Sequence, residues 1–273
     1  MAPQVWLITG TTSGFGAAFV HSLLARGDKV IATARNLSKI SNLKQAGAST
    51  LQLDVTSSPA ELEKTAKEAI AIHGKIDVLV NNAGYCHFGT LEDATPKDWQ
   101  SQFNTNTFGA VNVSRAFLPH FRTNRAGTIV FIGSAAALCG MPIISLYCAA
   151  ESLNEEVKDF GIRTLVVQPG FFRTEFLNTN NTTYIDTKIV DYKPVIDEKY
   201  AMFKGYDGLQ PGDPQKAVER VVDTIKGEGL AKGKELPPTL YLGGDVIAQA
   251  KKRFEDQLAL IKEWEDVGSG LDH

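Results

Sequence analysis

The first 34 residues constrain the fold of this chain more than any other stretch. Val5 to Thr9 is a short apolar run ended by Gly10. A strand covered on both faces reads this way, because neither face needs polar side chains. Gly10-Thr11-Thr12-Ser13-Gly14-Phe15-Gly16 follows, and then Phe19, Leu23 and Leu24 recur at helical spacing. Gly27-Asp28 ends that helix, and Lys29 to Ala34 reads as a second strand. A strand, a Gly-rich turn, a helix and a strand in so short a span form the first half of a doubly wound α/β fold: a Rossmann-type parallel sheet with helices on both faces.

The turn carries chemistry as well as geometry. Glycines let the backbone approach a pyrophosphate, and a helix N-terminus offers free N–H groups and the positive end of a dipole. Gly10, Gly14 and Gly16, with Phe15 between them and the hydroxyls of Thr11, Thr12 and Ser13 beside them, are candidate contacts to a dinucleotide. The end of the second strand sets the choice of nucleotide. A carboxylate there would accept from a ribose 2′-hydroxyl and repel a 2′-phosphate. This chain has Ala34-Arg35-Asn36, with no carboxylate and one arginine able to pair with a phosphate. The expectation is NADP(H) in preference to NAD(H).

Strands and helices keep alternating. Thr50 to Val55 reads as a third strand with Asp54 near its end, placed to contact an adenine. Ser58-Pro59-Ala60-Glu61 is a capping box with proline at the first helical position, opening a helix to about His73. Ile76 to Val80 leads into Asn81-Asn82-Ala83-Gly84, and Thr95 to Asp98 caps a long helix to about Thr123. Thr128 to Ile132 and Arg163 to Val167 read as further strands, the latter ending in Pro169-Gly170-Phe171-Phe172-Arg173-Thr174. Between them, a helix is expected from Tyr147 to about Phe160. Residues 177–210 are polar and irregular, which suits a substrate loop or lid better than a linker. Asp213-Pro214 caps a helix to about Gly227, and Leu240 to Leu242 is a last short strand. In a final helix over 244–265, Ile247, Ala250, Phe254, Leu258 and Ile261 form an apolar stripe, expected to pack on the main body. No repeat or second domain is evident, so residues 1–273 read as one domain.

Composition removes several classes. A net charge of −3 and the lack of a basic stripe give no nucleic acid partner. No apolar run reaches the roughly 18 residues of a membrane span, and the N-terminus lacks a secretory pattern. Three cysteines, Cys86, Cys139 and Cys148, fit no metal spacing and suit a reducing compartment. A cytoplasmic location, no metal and no membrane contact are expected.

Six motifs stand in one order: TGTTSGFG, LDVT, NNAG, NTFG, Ser134 placed thirteen residues before Tyr147, and PGFFRT. Together they resemble the short-chain dehydrogenase/reductase family, closely over about residues 4–176. ATARN, YCAA, FGIRT and PGFFRTEF are similar to its NADP-preferring branch of retinol and 17β-hydroxysteroid dehydrogenases. The resemblance implies an oxidoreductase that interconverts an alcohol and a carbonyl by hydride transfer. It places Gly10, Gly14 and Gly16 round the pyrophosphate and Asp54 at the adenine. Asn82, Ala83 and Gly84 fall on the ribose side, and Pro169, Gly170 and Thr174 by the nicotinamide. Asn106 matches a residue that kinks its helix and holds a water chain. Ser134 matches the residue that hydrogen-bonds the substrate oxygen, and Tyr147 the general acid/base.

One departure bears on the reaction. In the family a lysine four residues after the tyrosine lowers its pKa, and one helical turn puts both side chains on one face. Here that residue is Glu151. Tyr147-Cys148-Ala149-Ala150 joins directly to Glu151-Ser152-Leu153, where the family pattern has about eight more residues, the lysine among them. Eight residues are about 2.2 helical turns, or about 12 Å of rise. An error in reading the gene, a natural loss, and residues omitted from the sequence all fit this gap. The alternative function is therefore a nucleotide-binding pseudoenzyme or interaction protein of the same fold. The resemblance also implies a homo-oligomer, assembled through the helix that the gap shortens. Aromatic residues after Pro169 point to an apolar substrate.

Overall fold

The computed structural model describes residues 2–90, 92–135, 157–179 and 181–270. Seven parallel strands form one sheet: β1 (Val5–Ile8), β2 (Lys29–Ala34), β3 (Ser49–Gln52), β4 (Val78–Asn81), β6 (Gly127–Ile132), β7 (Ile162–Pro169) and β9 (Thr239–Leu242). Their order is β3-β2-β1-β4-β6-β7-β9, so the winding reverses between β1 and β4. Ligands of open α/β sheets bind at the C-terminal ends of the strands at such a reversal.

The alternation in β1 explains the two-sided core. Trp6 and Ile8 face one layer, and Val5 and Leu7 face the other. On the first side pack α1 (Gly14–Ala25) and α7 (Pro214–Lys226), with Phe19, Leu23, Val218 and Val222 buried. On the second side pack α3 (Pro59–His73) and α5 (Ala110–Asn124), with Leu62, Ala66, Phe117 and Phe121 buried. A short α2 (Ser41–Gln45) lies between β2 and β3.

Local chemistry sets the helix ends. Both halves of the Ser58/Glu61 capping box form, with Pro59 at the start of α3 and Gly74 in the left-handed conformation after it. The same reciprocal pair, Thr95 and Asp98, opens α4 (Pro96–Phe103). Asp213 caps α7 by accepting from Gln215 N and Lys216 N, and left-handed Gly227 closes it.

Four expectations are corrected or refined. The long helix after Thr95 forms from Pro96 to Asn124, but a wider π-type turn over Asn104–Gly109, which contains Asn106, lies between α4 and α5. Such turns inside helices are frequent at functional sites. β3 ends at Gln52, so Asp54 lies beyond it in a turn, its carboxylate accepting from Thr56 N and Oγ1. Residues 177–210 are not irregular. They contain β8 (Thr182–Tyr184) and the fourteen-residue α6 (Lys193–Tyr206). β8 pairs in parallel with β5 (Cys86–Phe88), a short strand just after the β4 turn.

The fourth correction concerns α8 (Gly244–Gly268). Val246 and Ala250 are buried, but Phe254, Leu258 and Ile261 are exposed. The apolar stripe is buried on the body only along the helix's first two turns. Beyond them, Phe254 meets the body through an edge-on contact with Tyr241, the ring centroids 6.5 Å apart. The expected helix from Tyr147 to about Phe160 falls mostly outside the described residues, and so does the junction at Ala150 and Glu151.

Candidate active site at the strand reversal

The C-terminal ends of β1, β4, β6 and β7 lie side by side, because the four strands are neighbours in a parallel sheet. They carry the Gly10–Gly16 turn, Asn82–Gly84, Ser134 and Pro169–Thr174 respectively. The structure thus brings four sequence-distant motifs to one edge.

The Gly-rich turn is shaped for close approach. Gly10 has φ +69°, and a Cβ there would sit 2.8 Å from Ala83 Cα. A Cβ on Gly16 would be 2.3 Å from Gly10 O. Gly14, at φ +54°, faces Thr174. Ser13 precedes α1 without a side-chain cap bond, and no acidic residue stands in the first turn. The helix N-terminus therefore faces the crevice with its positive end uncompensated by side chains, which fits an anionic pyrophosphate. Thr11 is buried, its hydroxyl donating to Thr33 O at 3.1 Å, while Thr12 is exposed.

The β1 and β4 ends are tied together. Thr9 Oγ1 accepts from Asn82 N at 2.9 Å and Ala83 N at 3.0 Å. The Asn82 amide donates to Thr9 O and Gly10 O, both at 2.9 Å. Asn82 thus braces the carbonyl side of the glycine turn. Thr9 opens the TGTTSGFG motif, but no local pattern shows that its hydroxyl ties β1 to the β4 end.

Asn106 sits in the π-type turn, between α4 and α5. Its amide forms a two-bond clamp on Tyr85, donating to Tyr85 O at 2.7 Å and accepting from Tyr85 N at 3.1 Å. Gly84 fits beneath it, since a Cβ there would lie 3.3 Å from Asn106 Oδ1. The wider turn brings Asn106 to this backbone and fixes the loop after Asn82-Ala83-Gly84. Burial, followed by the Asp98 charge, raises the Tyr85 phenol; a hydrogen bond with Ser101 and the Arg35 charge oppose it. Burial also pushes the Cys86 thiol up to about 11, so Cys86 is an uncharged core residue at neutral pH.

Arg35 is exposed just beyond β2, and its carbonyl accepts from Gln52 Nε2 at 2.9 Å. Asn36 is spent on capping, accepting from Ser38 N and Oγ. Ser134 is half-buried two residues beyond β6. Tyr147 and Glu151 lie outside the described residues.

On the far side, Pro169 pairs with Leu242, and Gly170 N donates to Leu242 O at 2.8 Å. Phe172 packs edge-on against Phe15 with centroids 5.4 Å apart, clasping the Gly-rich turn to the loop after β7. Thr174 Oγ1 accepts from Phe176 N at 3.3 Å. An open cavity of about 380 Å³ lies here, lined by Gly14, Arg173, Thr174, Asn178, Asp207 and Pro214 among others. Asp245, at the start of α8, accepts from Phe171 N at 2.8 Å, and a Cβ on Gly170 would lie 2.2 Å from its carboxylate. Asp245 supports the loop from outside, a role that no helical periodicity reveals.

The segment that borders this cavity through Asn178, Asp207 and Gly208 packs with Phe88 into a small aromatic unit. Phe88 stacks on Phe203 at 4.9 Å and meets Tyr184 at 5.4 Å, and Tyr184 meets Tyr200 at 5.0 Å. The Tyr200 hydroxyl lies between Phe88 O at 2.7 Å and Ile185 O at 2.9 Å. Lys204 caps the rings, 5.0 Å from the Tyr184 centroid.

The family model for short chain dehydrogenase matches residues 4–185. The chain belongs to the short chain dehydrogenase family. An oxidoreductase of Botryotinia fuckeliana, BOA17, is 30% identical over 276 residues, covering 97% of each chain. A short-chain dehydrogenase of Streptomyces avermitilis superposes with a TM-score of 0.86 at 30% identity, covering 99% of each chain. A serine dehydrogenase complexed with NADP+ matches with a TM-score of 0.70 at 27% identity, covering 88% of this chain and 94% of that one. The short chain dehydrogenase match spans every motif from the Gly-rich turn through PGFFRT. It stops one residue beyond β8, before α6 and α8. Among the described residues no group of histidines, cysteines or carboxylates could hold a metal ion, and no helix is long and apolar enough to cross a membrane.

Proposed function

We propose that this chain is an NADP(H)-preferring oxidoreductase that interconverts an alcohol and a ketone or aldehyde. The observation that carries this reading is the glycine turn at the β1/β4 reversal, where side chains at Gly10 and Gly16 would collide with the backbone. The nicotinamide cofactor supplies the hydride when bound. Gly14, Phe15 and Gly16 receive its pyrophosphate at the N-terminus of α1, with Thr12 and Ser13 at the rim. Arg35 pairs with the 2′-phosphate, a role supported by its exposure and by the lack of a carboxylate at the end of β2. Asp54 lies at the adenine, Asn82, Ala83 and Gly84 line the ribose side, and Pro169, Gly170 and Thr174 flank the nicotinamide.

Ser134 holds the substrate oxygen, and Tyr147 exchanges the proton with it. Asn106 holds the loop at Tyr85 in place. Residues 177–210 form the lid, whose aromatic interior suits an apolar substrate. Titration of the protein with NADPH and NADH, followed by nucleotide fluorescence, tests the cofactor half. NADPH is expected to bind more tightly, and Arg35→Ala to weaken NADPH by about tenfold while leaving NADH nearly unchanged. Equal binding of both nucleotides to the parent protein would overturn the preference.

A second reading rests on one observation, Glu151 in place of the family lysine four residues after Tyr147. A carboxylate there opposes ionisation of the tyrosine, which makes the chain a nucleotide-binding protein with little or no turnover. A panel of carbonyl substrates distinguishes the two. Turnover that rises when a lysine-containing segment of eight residues is inserted after Ala150 supports the second reading. Strong turnover without insertion removes it.

A further inference from the structure

The distal part of α8 carries an apolar stripe that the described body of the fold leaves exposed. From Lys251 to Gly268 no residue is buried, and only Gln257 is half-buried. Yet Phe254, Leu258, Ile261 and Trp264 are 49%, 67%, 63% and 57% exposed. At about 100° per residue, Phe254, Leu258 and Ile261 fall within about 60° of one another, with Trp264 a further 60° round. A narrow stripe repeating every three and four residues is the seam of a helix pair. Apart from the edge of Tyr241 against Phe254, no described residue of the chain covers it.

The charges say what partner fits. Lys251, Lys252 and Arg253 lie at the near end of the stripe, followed by Glu255 and by Asp256, which pairs with Lys252 at 3.1 Å. Lys262, Glu263, Glu265 and Asp266 lie at the far end, so the near end is net basic and the far end net acidic. A second α8 laid antiparallel sets the basic end of each copy against the acidic end of the other, twice over. With the two-fold axis at Leu258, the two Leu258 side chains face each other, Lys251 lies level with Glu265 of the second copy, and Phe254 lies level with its Lys262, one position from Ile261. A parallel pair would instead stack basic on basic and acidic on acidic. A membrane surface fits less well. Helices that lie on membranes carry a cationic polar face, whereas residues 251–266 hold four basic and five acidic side chains.

We infer that the distal half of α8 is a contact surface for a second copy of this chain, paired antiparallel through Phe254, Leu258, Ile261 and Trp264. The exposed stretch is about 25 Å long, which gives a contact at the small end of stable interfaces and a dimer that depends on concentration.

Cysteine cross-linking and sedimentation of the full chain test this. Under mild oxidation, Leu258→Cys is expected to form a disulfide between the two copies at that position, identified by peptide mapping. Ala259→Cys, on the opposite side of the helix, is expected not to cross-link. Ile261→Glu should weaken association by about tenfold or more, as loss of a central apolar contact does. Lys251→Glu should weaken it several-fold, and adding Glu265→Lys should restore it. All five positions are exposed, so the fold is unaffected. The inference is overturned if Leu258→Cys gives no symmetric disulfide and Ile261→Glu sediments as the parent does. It is also overturned, in favour of a lipid surface, if the parent sediments with vesicles of anionic phospholipid, Ile261→Glu does not, and neither self-associates.

Discussion

At the scale of single residues, the site depends on side chains that are absent as much as on those present. Gly16 is the sharpest case, since any Cβ would stand 2.3 Å from Gly10 O and 2.7 Å from the Asn82 amide nitrogen. Gly16→Ala must therefore push the turn away from Asn82 and break the brace between β1 and β4. The expected result is at least about a tenfold loss of nucleotide affinity, with a smaller loss of stability of about 1–3 kcal/mol from the overpacked turn. Calorimetric titration with NADPH and thermal unfolding measure the two separately. The glycines are legible in the sequence because their spacing coincides with the start of a helix. Thr9, Asp245 and the Tyr85 clamp are not. Their roles are hydrogen bonds across 73, 74 and 21 positions of chain, and no local pattern encodes a contact at that range.

At the scale of elements, α1 and α7 are joined by charge as well as by apolar contact. Arg26 in the turn after α1 bridges Glu219, Asp223 and Glu228, and Ser22 donates to Glu219 at 2.5 Å. Burial pushes the Glu219 carboxyl up, but the bonds from Ser22 and Arg26 outweigh it and hold it below its usual range. A carboxyl lowered on folding stabilises above its unfolded value, near pH 4.3, and loses that contribution as pH falls through its folded value. Glu219→Gln should thus cost about 1 kcal/mol at neutral pH, a modest figure because the pair is partly exposed. The cost should shrink toward zero below about pH 4. Urea unfolding of both proteins across pH checks the sign. A second tie is more severe. Lys226 Nζ lies 2.5 Å from Asp28 Oδ2, with the two side chains 9% and 2% exposed. Lys226→Met leaves Asp28 buried without its cation, and about 3–5 kcal/mol should be lost in the same assay. Most of the helices are readable from capping residues and periodicity. α6 is not, because its sequence, KPVIDEKYAMFKGY, buries few of its residues and so shows little contrast between faces.

At the scale of the whole molecule, the sheet order and the two-faced core follow from the alternation of short apolar strands with capped helices. That much is written in the sequence. The end of the chain departs from its expectation for a physical reason: periodicity reports an apolar stripe, not what covers it. The stripe of α8 reads as a packing face, but the body offers little surface beyond Ala250 and the edge of Tyr241. Removing residues 255–270 should therefore shift the unfolding midpoint of dilute protein by less than about 2 °C, since little area is exposed by the cut. A larger shift in scanning calorimetry would mean that the segment stabilises the body.

Asp245 gives the helix a leverage that its exposed length alone does not. The carboxylate at the root of α8 holds Phe171 N, and it lies against Gly170, the first residue past β7. Asp245 thus ties the start of α8 to residues 170–171, beside the Pro169–Leu242 pairing and the burial of Val246 and Ala250. The traffic runs both ways, because free energy exchanged between two sites is reciprocal. Any free energy with which a ligand at residues 169–174 favours one setting of the Asp245 bond is matched by the bias that a partner on α8 would exert on that ligand.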